Sequence, residues 1–195
     1  MRFDPAPSEL FALARHRVHE AEGPGRRSFA LLQAARHADA LIWIIPGHAP
    51  HQPMLRGLPE GVGQRLHLIR PLSETELLWA TEEALRSEGV GLVIAEPEKP
   101  LSLIAGRRLQ LAAESGRTTG LMLIQESQGS NAVETRWHCA PIASERRDST
   151  LHQWTLTKNK KGTLENWTVH WNGKTAAIYP VSAAGKRHEP AETSR

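Results

Sequence analysis

Ser73-Glu74-Thr75-Glu76-Leu77-Leu78-Trp79-Ala80-Thr81-Glu82-Glu83-Ala84-Leu85 runs through Arg86 to Gly89 into Val90-Gly91-Leu92-Val93-Ile94-Ala95. This helix followed by a strand decides the fold class. Ser73 and Glu76 have the spacing of a capping box, in which each side chain satisfies a free amide at the start of a helix. Leu77, Leu78, Thr81, Ala84 and Leu85 then recur at helical spacing, and Gly89 stands where a helix stops. The continuous apolar run from Val90 to Ala95 suits a strand covered on both faces, and it ends at Glu96-Pro97.

Upstream, Arg65 to Arg70 reads as a strand halted by Pro71, and Leu41 to Ile45 as a buried strand ending at Pro46-Gly47. Between them a loop rich in Pro, Gly and His covers 46–63, with room for one helical turn. A helix pattern starts at Ser28 and carries Phe29, Leu31, Leu32 and Ala35. Arg17 to Glu20 is a weaker strand, joined to that helix by the loop 21–28. Downstream, a third helix begins with Pro100 in its first turn, carries Leu101, Ala105, Leu109 and Ala112, and stops at Gly116. Leu121 to Ile124 is a fifth strand. Strands and helices in alternation predict an α/β fold, a mainly parallel sheet with helices on both faces.

After Gln125 the pattern changes. A polar loop, Glu126 to Asn131, leads into extended segments at 135–141, 152–158, 166–171 and 175–181, with turns at Asn159 to Gly162 and at Asn172-Gly173. Asn-Gly between alternating strands signals a hairpin, so an antiparallel β meander extends the sheet. We expect an N-terminal extension over 1–16, one domain over 17–181 and a flexible tail over 182–195. A chain of 195 residues with 39% hydrophobic and 23% charged residues has material for one such core. No apolar run approaches the roughly 18 residues of a membrane span, and the start lacks a signal-peptide core, so we expect a soluble, cytoplasmic protein with no membrane partner. Net charge is +3, too mild an excess to require an acidic partner.

The order strand, glycine-containing loop, helix raises the question of phosphate binding. A working phosphate loop needs glycines whose amides close on phosphate, then Lys and a hydroxyl residue for the outer phosphates and magnesium. Here Gly23, Gly25, Arg26, Arg27 and Ser28 occupy the region. With Arg27-Ser28 at the last two positions, Arg26 and Ala21 fall where the glycines belong. An Arg there obstructs the cradle, and Arg27 does not replace a Lys. Glu96, ending an apolar strand, stands where many nucleotide-binding domains place a magnesium-holding carboxylate. Gly173-Lys174-Thr175 ends like the motif but lies in a hairpin without the upstream glycine.

Other chemistry is sparse. His16 and His19, and His48 and His51, are spaced three apart without a third ligand, so we expect no metal. Cys139, the single cysteine, reads as a buried, inert thiol. Trp154, Trp167 and Trp171 alternate on strands and, with Trp43 and Trp79, fit a core. Trp137 is left open. Lys158, Lys160 and Lys161 gather at one turn, either a solvated hairpin tip or a phosphate or partner contact, and Arg136 with Lys161 could touch DNA.

Val18-His19-Glu20, Leu41-Ile42-Trp43-Ile44, Pro71 to Ala80, Gly106-Arg107-Arg108-Leu109-Gln110-Leu111-Ala112, Glu134 to Pro141 and Trp154 to Lys160 together resemble the ImuA family, bacterial relatives of the RecA recombinase core. The resemblance spans 17–181. It implies a RecA-like domain that works with RecA, with ImuB (a catalytically defective polymerase relative) and with an error-prone DnaE-type polymerase in damage-induced, SOS-type mutagenic translesion synthesis. Set beside the recombinase, the chain departs at the phosphate loop, so we expect no ATPase activity and no cofactor. It also lacks room for the N-terminal polymerisation helix, and Gln125 to Arg136 stands in for a longer DNA-binding loop. Binding to single-stranded DNA is therefore expected to be weak, salt-sensitive and sequence-independent. Lys158-Asn159-Lys160 resembles the RecA segment that reaches a neighbouring subunit's nucleotide, which implies docking on a RecA filament end. Two alternatives stay open: an inhibitor of the division protein FtsZ, similar to SulA of the same broad lineage, and a DNA-dependent ATPase.

Overall fold

A computed structural model of the chain describes residues 11–54, 57–143, 150–172 and 177–184, with side chains described up to residue 170. Its elements run β1 (Val18–Glu22), α1 (Arg26–Arg36), β2 (Ala40–Ile44), β3 (Leu66–Ile69), α2 (Glu74–Arg86), β4 (Val90–Ala95), α3 (Leu103–Gly116), β5 (Thr119–Leu123), β6 (Thr135–Ile142), β7 (Thr150–Asn159), β8 (Asn166–Asn172) and β9 (Ala177–Ala184). All nine strands form one sheet, in the order β3-β2-β4-β5-β1-β6-β7-β8-β9. From β3 to β6 every neighbouring pair is parallel; from β6 to β9 every pair is antiparallel. This is the α/β sheet with a C-terminal meander that the alternation of patterns predicts.

Two apolar layers explain why β4 and β5 are continuously hydrophobic. Leu92 and Ile94, with Leu121 and Leu123, face α1 together with Trp43 and Phe29. Val93, Ala95 and Met122 point the other way, among Leu77 and Leu85 of α2 and Leu109 of α3. Successive strand residues alternate faces, so a strand buried on both sides must be apolar at every position. The α1 layer continues under the meander, where Phe11 meets Trp154 and Trp167 edge to face, with ring centroids 5.1 and 5.4 Å apart. Phe11 and Leu13 are thus core residues, and the domain begins before residue 17. At the other boundary β9 runs to Ala184, and 185–195 lie outside the described residues.

Helix ends differ from expectation in instructive ways. α2 is capped as predicted at Ser73, whose Oγ accepts from the Glu76 amide at 3.2 Å, while the Glu76 carboxylate reaches back to the Leu72 amide at 2.9 Å. It ends at Arg86 with Ser87 as its cap, so Gly89 lies in the following turn. α3 starts at Leu103 with Ser102 as its cap, leaving Pro100 outside. Gly116 is required for a reason other than turning the chain: a Cβ there would stand 2.2 Å from the Leu85 carbonyl oxygen, so only glycine lets the ends of α2 and α3 meet. α1 begins at Arg26, two residues before Ser28. The 46–63 loop carries hydrogen-bonded turns, such as the Val62 amide to Pro59. Gly57 closes a short 3-10 turn, its amide donating to the Met54 carbonyl at 2.9 Å, which is the one helical turn the loop has room for.

Of the tryptophans, Trp43, Trp137, Trp154 and Trp167 are buried, while Trp79 is 64% exposed. Trp79 lies about 200° around α2 from Leu77, on the side away from the sheet. The Trp171 side chain and the Gly173-Lys174-Thr175 segment lie outside the described residues, although β8 and β9 do pair antiparallel across that segment. Among the described residues no helix is long and apolar enough to cross a membrane.

His19 is fully buried on β1, its Nε2 donating to the Ala14 carbonyl at 2.9 Å and its Nδ1 accepting from the Thr135 hydroxyl at 2.7 Å. Burial holds its pKa down from 6.5 to about 4, against the backbone bond to Ala14, which raises it. Burial lowers His37 and His152 as well. The unfolded chain then binds more protons than the native one between about 4 and 6.5. Stability supplied by these neutral rings is therefore complete above pH 6.5 and declines as pH falls toward 4. Glu20, raised by burial, acts in the opposite sense and offsets part of this. We expect urea unfolding to show a lower midpoint at pH 5 than at pH 7.5, with His19 alone contributing a loss of about 2 kcal/mol. Equal midpoints would show that the neutral histidines contribute no more than Glu20 offsets.

Candidate functional site

The end of β1 and the start of α1 bring together Gly23, Gly25, Arg26, Arg27 and Ser28. Only Gly23-Pro24-Gly25 separates the two elements. That turn is too short to circle a phosphate, and Pro24 has no amide to offer. Two amides that a phosphate would need are already engaged: Gly25 donates to the Cys139 carbonyl at 2.8 Å and Arg26 to the Gly23 carbonyl at 3.2 Å. Both glycines pack against β6. Gly23 has φ +87°, and a Cβ there would lie 2.6 Å from the Cys139 carbonyl oxygen; at Gly25 the same contact would be 3.0 Å. The glycines serve a close approach of two backbones.

Arg27 faces Glu96 across the C-terminal end of the sheet. Its Nε donates to Oε1 at 3.0 Å and its Nη2 to Oε2 at 2.8 Å, a two-pronged ion pair. The Trp43 indole N–H adds a third bond to Glu96 Oε1 at 2.9 Å. The sequence marked Arg27 and Glu96 separately, and the fold joins them. Cations at the first turn of a helix oppose its dipole, and α1 has no acidic residue there; Glu96, from another element, supplies the missing negative charge. Arg26 folds back on the Gly23 carbonyl at 3.1 Å, and Ser28 is half-buried in the first turn. These residues do not fit a magnesium nucleoside triphosphate, because the carboxylate and the cation that would hold it hold each other.

The second predicted group clusters around the loop between β5 and β6. Lys158 Nζ donates to the Asn131 carbonyl at 2.7 Å and to Ser130 at 3.2 Å, and Lys160 Nζ donates to Ala132 at 2.7 Å. Burial, then Arg136 and Lys160, lower the pKa of Lys158. Lys161 is exposed, 3.6 Å from Glu134. Asn159 closes the turn, its Oδ1 accepting from the Lys161 amide at 3.1 Å. Arg136 is held inward: Nε donates to buried Glu20 at 2.8 Å and Nη2 to the Ser130 carbonyl at 2.9 Å. The Ser130 amide completes this lock on Glu20 at 2.9 Å. Sequence reading missed Glu20, since nothing in a short strand pattern shows which later Arg it meets.

Beside this turn lies an open groove of about 520 Å³, floored by Leu103 and Leu111 and edged by Arg17, Arg107, Lys160 and Lys161. Leu111 is 65% exposed, and Ile104, on the same side of α3, is 74% exposed. Arg17 pairs with Glu114 at the groove wall. Cys139 is buried, and burial pushes its thiol well above the usual range, so it is no nucleophile.

Over 120 residues the chain is 34% identical to the Protein ImuA of Caulobacter vibrioides strain NA1000 / CB15N, and equally to that of strain ATCC 19089 / CIP 103742 / CB 15. The match covers 56% of this chain and 48% of each relative. The chain thus spans about half the length of the curated relatives it matches. No family model matches it.

Arg27→Ala leaves Glu96, its side chain only 10% exposed, with the Trp43 bond alone. Allowing for the partly exposed guanidinium, we expect a loss of about 2 kcal/mol in urea unfolding. Trp43 fluorescence should report the change, because the indole bonds directly to the orphaned carboxylate. Unaltered stability would mean that the pair is a loose surface contact.

Proposed function

We propose that this chain is a non-hydrolysing, RecA-like adaptor in damage-induced mutagenic translesion synthesis. The reading rests first on the Arg27–Glu96 ion pair, an internal contact between the two residues that a nucleotide-binding relative would turn toward its ligand. The similarity to Protein ImuA over 56% of the chain supports it independently. As an adaptor the domain would act with RecA, an ImuB-type polymerase relative and an error-prone DnaE-type polymerase. The inhibitor and ATPase alternatives have no structural feature that favours them over this reading.

The Lys158–Lys160 turn is the proposed contact to a RecA subunit. Its two ammonium groups now donate to carbonyls of the 130–132 loop, neutral acceptors that a phosphate can outcompete by charge. Docked on a filament end, the turn would exchange these acceptors for the triphosphate of the adjacent subunit. The adaptor then needs no nucleotide of its own. Arg136, held on Glu20, is spent on structure, which leaves Lys161 as the exposed cation for single-stranded DNA.

The test is binding of the Lys158→Ala, Lys160→Ala double variant to ATP-bound RecA filaments on single-stranded DNA, with thermal stability measured alongside. Each lost charge-assisted contact is worth about 1.5 kcal/mol or more, so affinity should fall by at least about a hundred-fold. Unchanged affinity in a folded variant, or wild-type binding indifferent to ATP, would remove the filament-end proposal. Capture of FtsZ in place of RecA would favour the inhibitor.

A further inference from the structure

At the opposite end of the sheet, before β2, β4 and β5 begin, the chain forms a second cleft of about 520 Å³. That volume lies within the ~300–1,000 Å³ of small-ligand sites. Its walls bring together residues far apart in sequence: Arg15 before β1, Arg36 and His37 at the end of α1, Asp39 before β2, and Arg117 after α3. Among the described residues, none of the three guanidinium groups pairs with a carboxylate. Arg36 Nη1 is fully buried without a hydrogen-bond partner, which is costly for a charged group.

Cations commonly collect at helix C-termini to meet the negative end of the dipole. That explanation covers part of the cluster here, since Arg36 stands in the last turn of α1 and Arg117 caps α3. The Arg65 guanidinium donates to the His37 carbonyl and, at 3.1 Å, to that of Asp39, so the end of α1 already has its cation. With Arg65 on those carbonyls and Arg15 added from before β1, the cleft holds more positive charge than the two helix ends use, and Asp39 is the carboxylate that lines it. Their field is felt at His37, whose pKa is lowered first by burial and next by Arg15, with Arg65 and Arg36 adding and Asp39 opposing.

We propose that this cleft binds a phosphate group, with Arg36 recessed at its wall and Arg15 and Arg117 closing on the oxygens from the exposed rim. Guanidinium forks match phosphate geometry, and one bound phosphate supplies the counter-charge that this guanidinium cluster lacks. The group could belong to a free phosphorylated small molecule or to a nucleic-acid backbone, and the chemistry of the site is the same for both. The inference is independent of the adaptor reading, since it uses no residue of the β1–α1 turn or the lysine turn.

The test is calorimetric titration of the whole chain at low salt with inorganic phosphate, with thymidine 5′-monophosphate and with a single-stranded oligonucleotide lacking terminal phosphates. The Arg15→Ala, Arg117→Ala double variant changes exposed residues and should keep its melting temperature while losing about ten-fold or more in affinity. Arg36→Gln should lose affinity similarly. Binding of the two small phosphates alone would assign a free phosphorylated ligand. Displacement of phosphate by the oligonucleotide, sensitive to the same variants, would assign a backbone phosphate. Absence of binding by all three probes, or binding untouched by the double variant, would overturn the proposal.

Discussion

Arg27 and Glu96 join the first turn of α1 to the loop after β4, and the Trp43 indole ties β2 into the same point. A carboxylate this buried cannot stand alone, so whatever lies across from it must be a cation held in place. That demand fixes how α1 leaves β1. The three-residue turn, the glycines pressed on the Cys139 carbonyl and the helix start at Arg26 all follow from bringing Arg27 to Glu96. A geometry that elsewhere in α/β sheets opens toward a ligand is here closed by the chain's own side chains.

The lysine turn repeats this economy on a different loop. Glu20, Arg136, Lys158 and Lys160 together pin the segment between β5 and β6, with the Ser130 amide and carbonyl both in use. The Glu20–Arg136 pair is deeply buried and therefore structural. The lysines differ, since their partners are neutral carbonyls and their neighbours across the groove include exposed Leu111 and Arg107. The chain thus presents rigid, self-satisfied sites at its centre and cationic contacts at its edges. That division is what the proposed adaptor role would use.

Most of the fold was legible because its signals are local. Apolar runs such as Val90 to Ala95, the Ser73–Glu76 cap and the strand pattern after Gln125 each act within a few residues. Trp79 was misjudged on residue type, although its angular position on α2 already points it outward. Phe11 escaped notice because a lone aromatic ahead of the first strand shows its role only when Trp154 and Trp167 arrive from the meander. The candidate site was half legible. Arg27 and Glu96 stood out individually by motif position, while their pairing, the Glu20–Arg136 lock and the Arg15–Arg36–Arg117 cleft depend on strand order, which periodicity does not encode.

The central claim is that the Arg27–Glu96 pair has replaced nucleotide chemistry. Calorimetric titration of the purified chain with magnesium and ATP, alone and with single-stranded DNA, tests it most directly. The account predicts no phosphate release in either case, and any binding heat should be the same in Arg27→Ala and Glu96→Ala as in the unaltered chain. Micromolar affinity that disappears in Arg27→Ala or Glu96→Ala would contradict it, because those residues would then be holding a nucleotide and not each other.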